Sequence, residues 1–193
     1  MNRVFGKISE FALVRQDASC TVIGYDFKPE KDGENATWCE AVINNVERLN
    51  PSFSEIKKAV IGNIDSQTKE RIINGFDYQV KSGQHKGTVV NVWLSLENQQ
   101  NFCDLRDSAD GITFPIRYKI GQDGEGNEIF EYFQDKKEIK SFCCMITQFI
   151  HQCQEEGWTM KGSLDWTPYE ALFPQPAIQQ NLNSDRVLSY CII

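Results

Sequence analysis

Cys143, Cys144, His151 and Cys153 lie close together in one stretch, and thiolates with imidazole are the ligands that zinc prefers. The spacing decides against a metal centre. The stretch reads as a single helix, so Cys144 and His151, seven positions apart, stand about 10 Å apart along its axis, whereas ligands of one zinc must lie within roughly 4 Å of each other. Cys143 and Cys153 fall on the apolar side and read as core residues, as free cysteines commonly are. His151 reads as a polar residue facing solvent. No metal site is expected.

Other chemistries fail on similar grounds. Gly121 and Gly126 have the glycine spacing of a phosphate-cradling loop, but Asn127 and Glu128 stand where lysine and a hydroxyl residue are required. Asp123 and Glu125 would repel the phosphates, so the segment reads as a hairpin turn, and it lacks the twelve-residue ligand pattern of a calcium hand. Only His85 and His151 could serve as imidazole bases. Neither is accompanied by a GxSxG elbow or an HExxH helix. With 27 Asp and Glu some close carboxylate pair is inevitable, so such a pair carries no information about glycan hydrolysis. The expectation is a protein that is not an enzyme, with no catalytic residues and no cofactor.

The elements that would position any site are easier to read. FGKISEFALVR, CTVIGYDF and Trp38–Ile43 suggest a β-rich opening, with a polar loop over Lys28–Asn35. Ser52 and Glu55 have capping-box spacing and start a helix carrying Phe53, Ile56, Val60 and Ile64. Asp65 is expected to cap a second short helix that stops at Asn74-Gly75. Phe76–Tyr78 and Thr88–Leu94 flank a polar turn and predict a hairpin, with Trp93 inside the apolar strand and therefore in the core. Ser95 caps a helix over 96–107. Phe114, Ile116, Tyr118 and Ile120 alternate, and the turn QDGEGN joins them to IFEYF as a second hairpin. A long helix runs from the cap Asp135 to a stop at Gly157, with Ile139, Phe142, Cys143, Ile146, Phe149, Ile150 and Cys153 on one face, about 33 Å in length. A short helix through Leu172 follows. Trp158 and Trp166, beside polar residues, suit the core and a subunit contact equally.

The fold class expected is α+β: an antiparallel sheet of hairpins packed by one long helix and shorter helices, with a β-rich N-terminal segment. Residues 1–50 form that segment or a small domain, 51–173 the α+β domain and 174–193 a C-terminal arm. The chain has 193 residues, 40% of them hydrophobic, so it can bury a sizeable core. Its formal charge of −7 argues against a general nucleic-acid binder. No apolar run has the length of a secretory signal core or a membrane span. Tyr190-Cys191-Ile192-Ile193 places its cysteine one position too late for prenylation, so synthesis in a cytoplasm, without membrane association, is expected. Seven irregularly spaced cysteines read as reduced, mostly buried thiols.

Three strings carry a resemblance: Val92–Asn101 (VWLSLENQQN), Phe114–Gly121 (FPIRYKIG) and Gly157–Tyr169 (GWTMKGSLDWTPY). From about Ser52 to Tyr169 the chain resembles an uncharacterised domain family of bacteriophage tail and tail-fibre-associated proteins, particularly of phages of gut Bacteroidales. Within these strings Ser95 caps a helix, Glu97 favours its positive start, Pro115 suits an edge strand, and Gly157-Trp158 would end the long helix and fold an aromatic back over it. The resemblance brings no catalytic residues. It implies a virion structural protein, an adaptor or fibre-associated component working through contacts with other virion proteins as a homo-oligomer. A non-virion tail-fibre assembly factor is the alternative, and a glycan-acting enzyme a more distant one. The expected attachment residues are Ile178, Leu182, Val187, Leu188, Tyr190 and Ile192. They form an apolar series that densifies toward the end of the sequence, opposite to the composition of a free terminus.

Overall fold

The N-terminal sheet is built on two ten-residue strands, the first of them buried without a break from Thr21 to Tyr25. β3 (Cys20–Pro29) pairs antiparallel with β4 (Asn35–Asn44), and β1 (Val4–Lys7) and β2 (Val14–Gln16) complete a four-stranded sheet in the order β1-β4-β3-β2. The computed structural model describes residues 3–44 and 51–172. The turn between β3 and β4 is shorter than the sequence suggests, because pairing continues to Pro29 opposite Ala36. The ladder is interrupted between Tyr25 and Lys28, where Asp26 takes a positive φ of 51°. Arg3 fastens this irregularity. Its guanidinium contacts the Asp26 carboxylate and donates to the carbonyls of Asp26 at 2.6 Å and Thr37 at 3.1 Å.

α1 (Phe53–Asn74) starts at the expected capping box: the Glu55 amide donates to Ser52 Oγ at 3.3 Å, and the Ser52 amide donates to the Glu55 carboxylate at 2.7 Å. It is one helix of 22 residues, not two. Asp65 does not cap a new start. It sits on the exposed side and pairs with Lys161, while Ile56, Val60 and Ile64 keep one buried face in phase.

β5 (Phe76–Gln79) and β6 (Val89–Val92) form the first hairpin, α2 (Leu96–Ser108) follows its Ser95 cap, and β7 (Ile116–Gln122) with β8 (Glu128–Phe133) forms the second. Pro115 stands just before β7. Both hairpins are antiparallel and pack on the long helix, giving the α+β class expected. They are two separate two-stranded ladders, however, rather than one continuous sheet. The register of β7 shifts between Lys119 and Gly121, which bends the strand. Gly121 then lies flat against β6: a Cβ there would stand 2.5 Å from Val90 Cγ2 and 2.9 Å from the Asn91 carbonyl oxygen. The hairpins thus meet through packing.

α3 (Lys136–Ser163) begins at Asp135, whose carboxylate accepts from the amides of Lys137 at 2.7 Å and Glu138 at 3.0 Å. It runs past Gly157 for another six residues and is about 42 Å long. Gly157 is a contact point, not a stop, since a Cβ there would come within 2.5 Å of Thr68 Oγ1 on α1. α4 (Thr167–Leu172) closes the described chain, with Asp165 accepting from the Thr167 amide at 3.0 Å.

Two apolar clusters result. One gathers Tyr78, Val90, Val92, Leu94 and Phe102 with Ile120, Ile129, Phe133, Ile139, Phe142 and Ile146. The other gathers Ile23, Tyr25, Cys39 and Ala41 of the N-terminal sheet with Ile56, Val60 and Ile64 of α1 and Tyr169 of α4.

Candidate interaction surface

The junction between β6 and α2 exposes what the sequence suggested it would bury. In β6 the inward positions are Val90, Val92 and Leu94, so the period of two turns Val89, Asn91 and Trp93 outward. Trp93 is 54% exposed and is not a core residue. Leu96, on the first turn of α2, is 70% exposed. The junction is held by side chains of that turn: Asn98 Nδ2 donates to the Trp93 carbonyl at 2.9 Å, and Gln99 Nε2 donates to the Leu94 carbonyl at 2.8 Å. With its carbonyls fixed, the loop presents its apolar side chains without ordering them at a partner's expense.

Beside Leu96 runs a groove of about 310 Å³ between α1 and α3, lined among others by Ile72, Ile73, Ile150 and Trp158. Trp158 does not fold back over the helix. It too is 54% exposed, because α3 continues past Gly157 and leaves it on the rim of this groove beside Gly157. Trp166, by contrast, packs on the second cluster, its ring 6.2 Å from Phe53. Two ion pairs cross from α1 to α3 beside the groove, Arg71 with Glu156 and Lys161 with Asp65. Arg71 holds the Glu156 carboxyl below the usual carboxylate range. Single exposed apolar residues are ordinary on protein surfaces. Leu96 and Trp158 on this groove, with Trp93 exposed three positions before Leu96, have the composition of a contact site.

The polar candidates resolve differently. Glu131 of β8 is buried, and its carboxylate accepts from Tyr78 Oη at 2.9 Å, the Lys81 amide at 2.7 Å, the Tyr132 amide at 3.1 Å and the Ser82 hydroxyl. Burial raises its pKa, but these donors outweigh burial and leave it below the ordinary value. A carboxylate held ionised and saturated with donors is a latch between the β5 hairpin and β8, not a general acid. Its environment pushes Tyr78 upward through burial and the shared hydrogen bond. Nothing in the sequence marked this network, because its members come from two segments about 50 positions apart.

His85 is half-buried in the turn between β5 and β6, and His151 is on the exposed side of α3. Cys143 and Cys153 are buried, as expected, while Cys144 is exposed. Among the described residues no three His, Cys, Asp or Glu are grouped as metal ligands. Ile178, Leu182, Val187, Leu188, Tyr190 and Ile192 lie outside the described residues. No family model, curated protein or solved structure matches this chain.

Proposed function

We propose that this chain is an interaction module without catalytic activity, a bacteriophage virion component of the adaptor or fibre-associated kind that binds another virion protein through Trp93, Leu96 and Trp158. The observation that supports a contact role is the exposure of these three large side chains, of which Leu96 and Trp158 line one groove. The phage assignment rests on the resemblance carried by Val92–Asn101, Phe114–Gly121 and Gly157–Tyr169. Two of those strings meet at this groove, the first contributing Leu96 and the third Trp158.

The test is incorporation. Wild-type protein is expected at stoichiometric copy number in purified particles and as a multimer in solution, judged against its 22.1 kDa chain mass. Trp93→Ser combined with Trp158→Ser should leave the melting temperature unchanged, since both rings are largely exposed, and should remove the protein from particles. Absence of the wild-type chain from particles would sink the virion reading, and normal incorporation of the double variant would sink the surface.

A further inference from the structure

Among the described residues, β5 has a partner strand on one side only. Phe76, Asp77, Tyr78 and Gln79 stand opposite Val92, Asn91, Val90 and Val89 of β6. The next residue shows which way the main chain faces: the Val80 amide donates to the Thr88 carbonyl at 2.9 Å, and the Val80 carbonyl accepts from the Gly87 amide at 2.8 Å. Val80 therefore turns both groups toward the β6 side. Direction alternates along an antiparallel strand, so Tyr78 and Phe76 do the same, while Asp77 and Gln79 turn theirs away. Both residues are exposed. Their amides and carbonyls make four main-chain groups in a line, and among the described residues no strand pairs with them. Lys81, next in that line, illustrates what it accepts, because its amide already donates to the Glu131 carboxylate at 2.7 Å.

Alongside this edge is a groove of about 710 Å³. Its far wall is a stripe of α3, Met145, Gln148, Phe149 and Gln152, at the spacing of one helix face and without a charge. Phe149 packs against Phe76 of β5, ring centroids 5.3 Å apart. The charges are at the strand. Lys81 and Lys86 meet where the hairpin closes, and Asp77 lies toward the other end. Among the described residues neither lysine is in an ion pair, although Lys81 Nζ stands 5.9 Å from the centre of the Tyr78 ring. Two lysines thus stand at one end of this strand-edged groove, although Lys81 also borders the pocket lined by Glu131, Asp135 and Glu138, which leaves Lys86 as the cation farther from carboxylates.

We infer that β5 takes up an extended strand of a partner protein, which continues the sheet along Asp77 and Gln79, places an apolar side chain against Phe76, Met145 and Phe149, and carries carboxylates over Lys81 and Lys86. A line of main-chain donors and acceptors is satisfied by another extended chain and not by a helix, and pockets beside the edge then read alternate side chains. The site is distinct from the tryptophan surface. Gln152 lines this groove and Gln154 the other, and two positions in a helix are about 160° apart around its axis. α3 therefore has a docking groove on each flank, as a protein joining two partners requires.

The probe is a labelled octapeptide of alternating threonine and valine with two glutamates at one end, titrated into the full chain by fluorescence anisotropy beside its two-lysine counterpart. Saturable binding is expected, about tenfold tighter for the glutamate peptide, a difference of the size of one charge-assisted contact. Gln79→Pro removes an outward donor without touching the β6 ladder, and should weaken binding about tenfold or more. Lys86→Glu should reverse the preference between the peptides. Trp158→Ser should leave the titration unchanged, which separates this site from the surface proposed above. Absence of saturable binding, equal binding of the two peptides, or indifference to Gln79→Pro would each overturn the inference. Displacement of the octapeptide by a synthetic peptide of residues 184–193 would make this chain's own tail the occupant and overturn the assignment to a partner.

Discussion

The hydroxyl of Tyr169 donates to the carbonyl oxygen of Gly24 at 2.6 Å, joining α4 to β3 across 145 positions of sequence. Both groups are buried, and burial raises the Tyr169 pKa to about 12. Tyr169→Phe keeps the ring in its cluster and leaves the Gly24 carbonyl without this donor. A loss of about 1 to 2 kcal/mol is expected, measurable by urea unfolding. An unchanged midpoint would mean that the bond contributes nothing net and that α4 is held by ring packing alone.

Gly157 and Thr68 set the distance between α3 and α1. Gly157→Ala gains up to about 1 kcal/mol in helix propensity but places a methyl group within contact of Thr68 Oγ1, and overpacking of that kind costs about 1 to 3 kcal/mol. The single variant should be less stable than wild type. The Thr68 hydroxyl is buried without a hydrogen-bond partner among the described residues, so Thr68→Ala gives up no such bond and clears the space. The double variant should be at least as stable as wild type, and strict additivity of the two changes would show that the helices are not in contact there.

Glu131 makes the acid limb of stability. Its folded pKa is below the ordinary value, so its contribution is complete above the unfolded pKa of about 4.3 and is lost as pH falls through the folded one. Glu131→Gln should lower the melting temperature at pH 7 and flatten its decline between about pH 5 and pH 3. Parallel declines in the two proteins would remove Glu131 from the account.

Thiol reactivity should sort by position. Burial raises the pKa of Cys39, Cys143 and Cys153, that of Cys143 to about 11, whereas Cys103 and Cys144 are exposed. In native protein at pH 8, Cys103 and Cys144 should react with an aromatic disulfide first, and the three buried thiols only on unfolding. Mass spectrometry after short labelling identifies the sites. Early modification of Cys143 would place the core face of α3 wrongly.

Much of the fold was legible because its signals are local. Ser52 with Glu55, Ser95 and Asp135 are caps that act within one turn, and the apolar faces of α1 and α3 repeat within a few residues. The errors share a cause. Asp65 and Gly157 have the residue types of helix ends, but each is committed to a partner on the other helix, Asp65 to Lys161 and Gly157 to Thr68, and such pairings over roughly 90 positions leave no local trace. Trp93 was misplaced for a different reason. Its hydrophobicity outweighed the alternation that Val90, Val92 and Leu94 already displayed, and an outward aromatic on a strand is the pattern that a contact residue leaves in sequence. The latch of Glu131, Tyr78 and Ser82 depends on two distant segments meeting, and neither announces it alone.

The length of α3 has a mechanical meaning. Its first half supplies Ile139, Phe142 and Ile146 to one core and Met160 of its last turn packs against the other, so a single rod of about 42 Å is built into both. Two cores strung on one helix have no hinge between them, and neither can melt without fraying the backbone ladder on which the other is threaded.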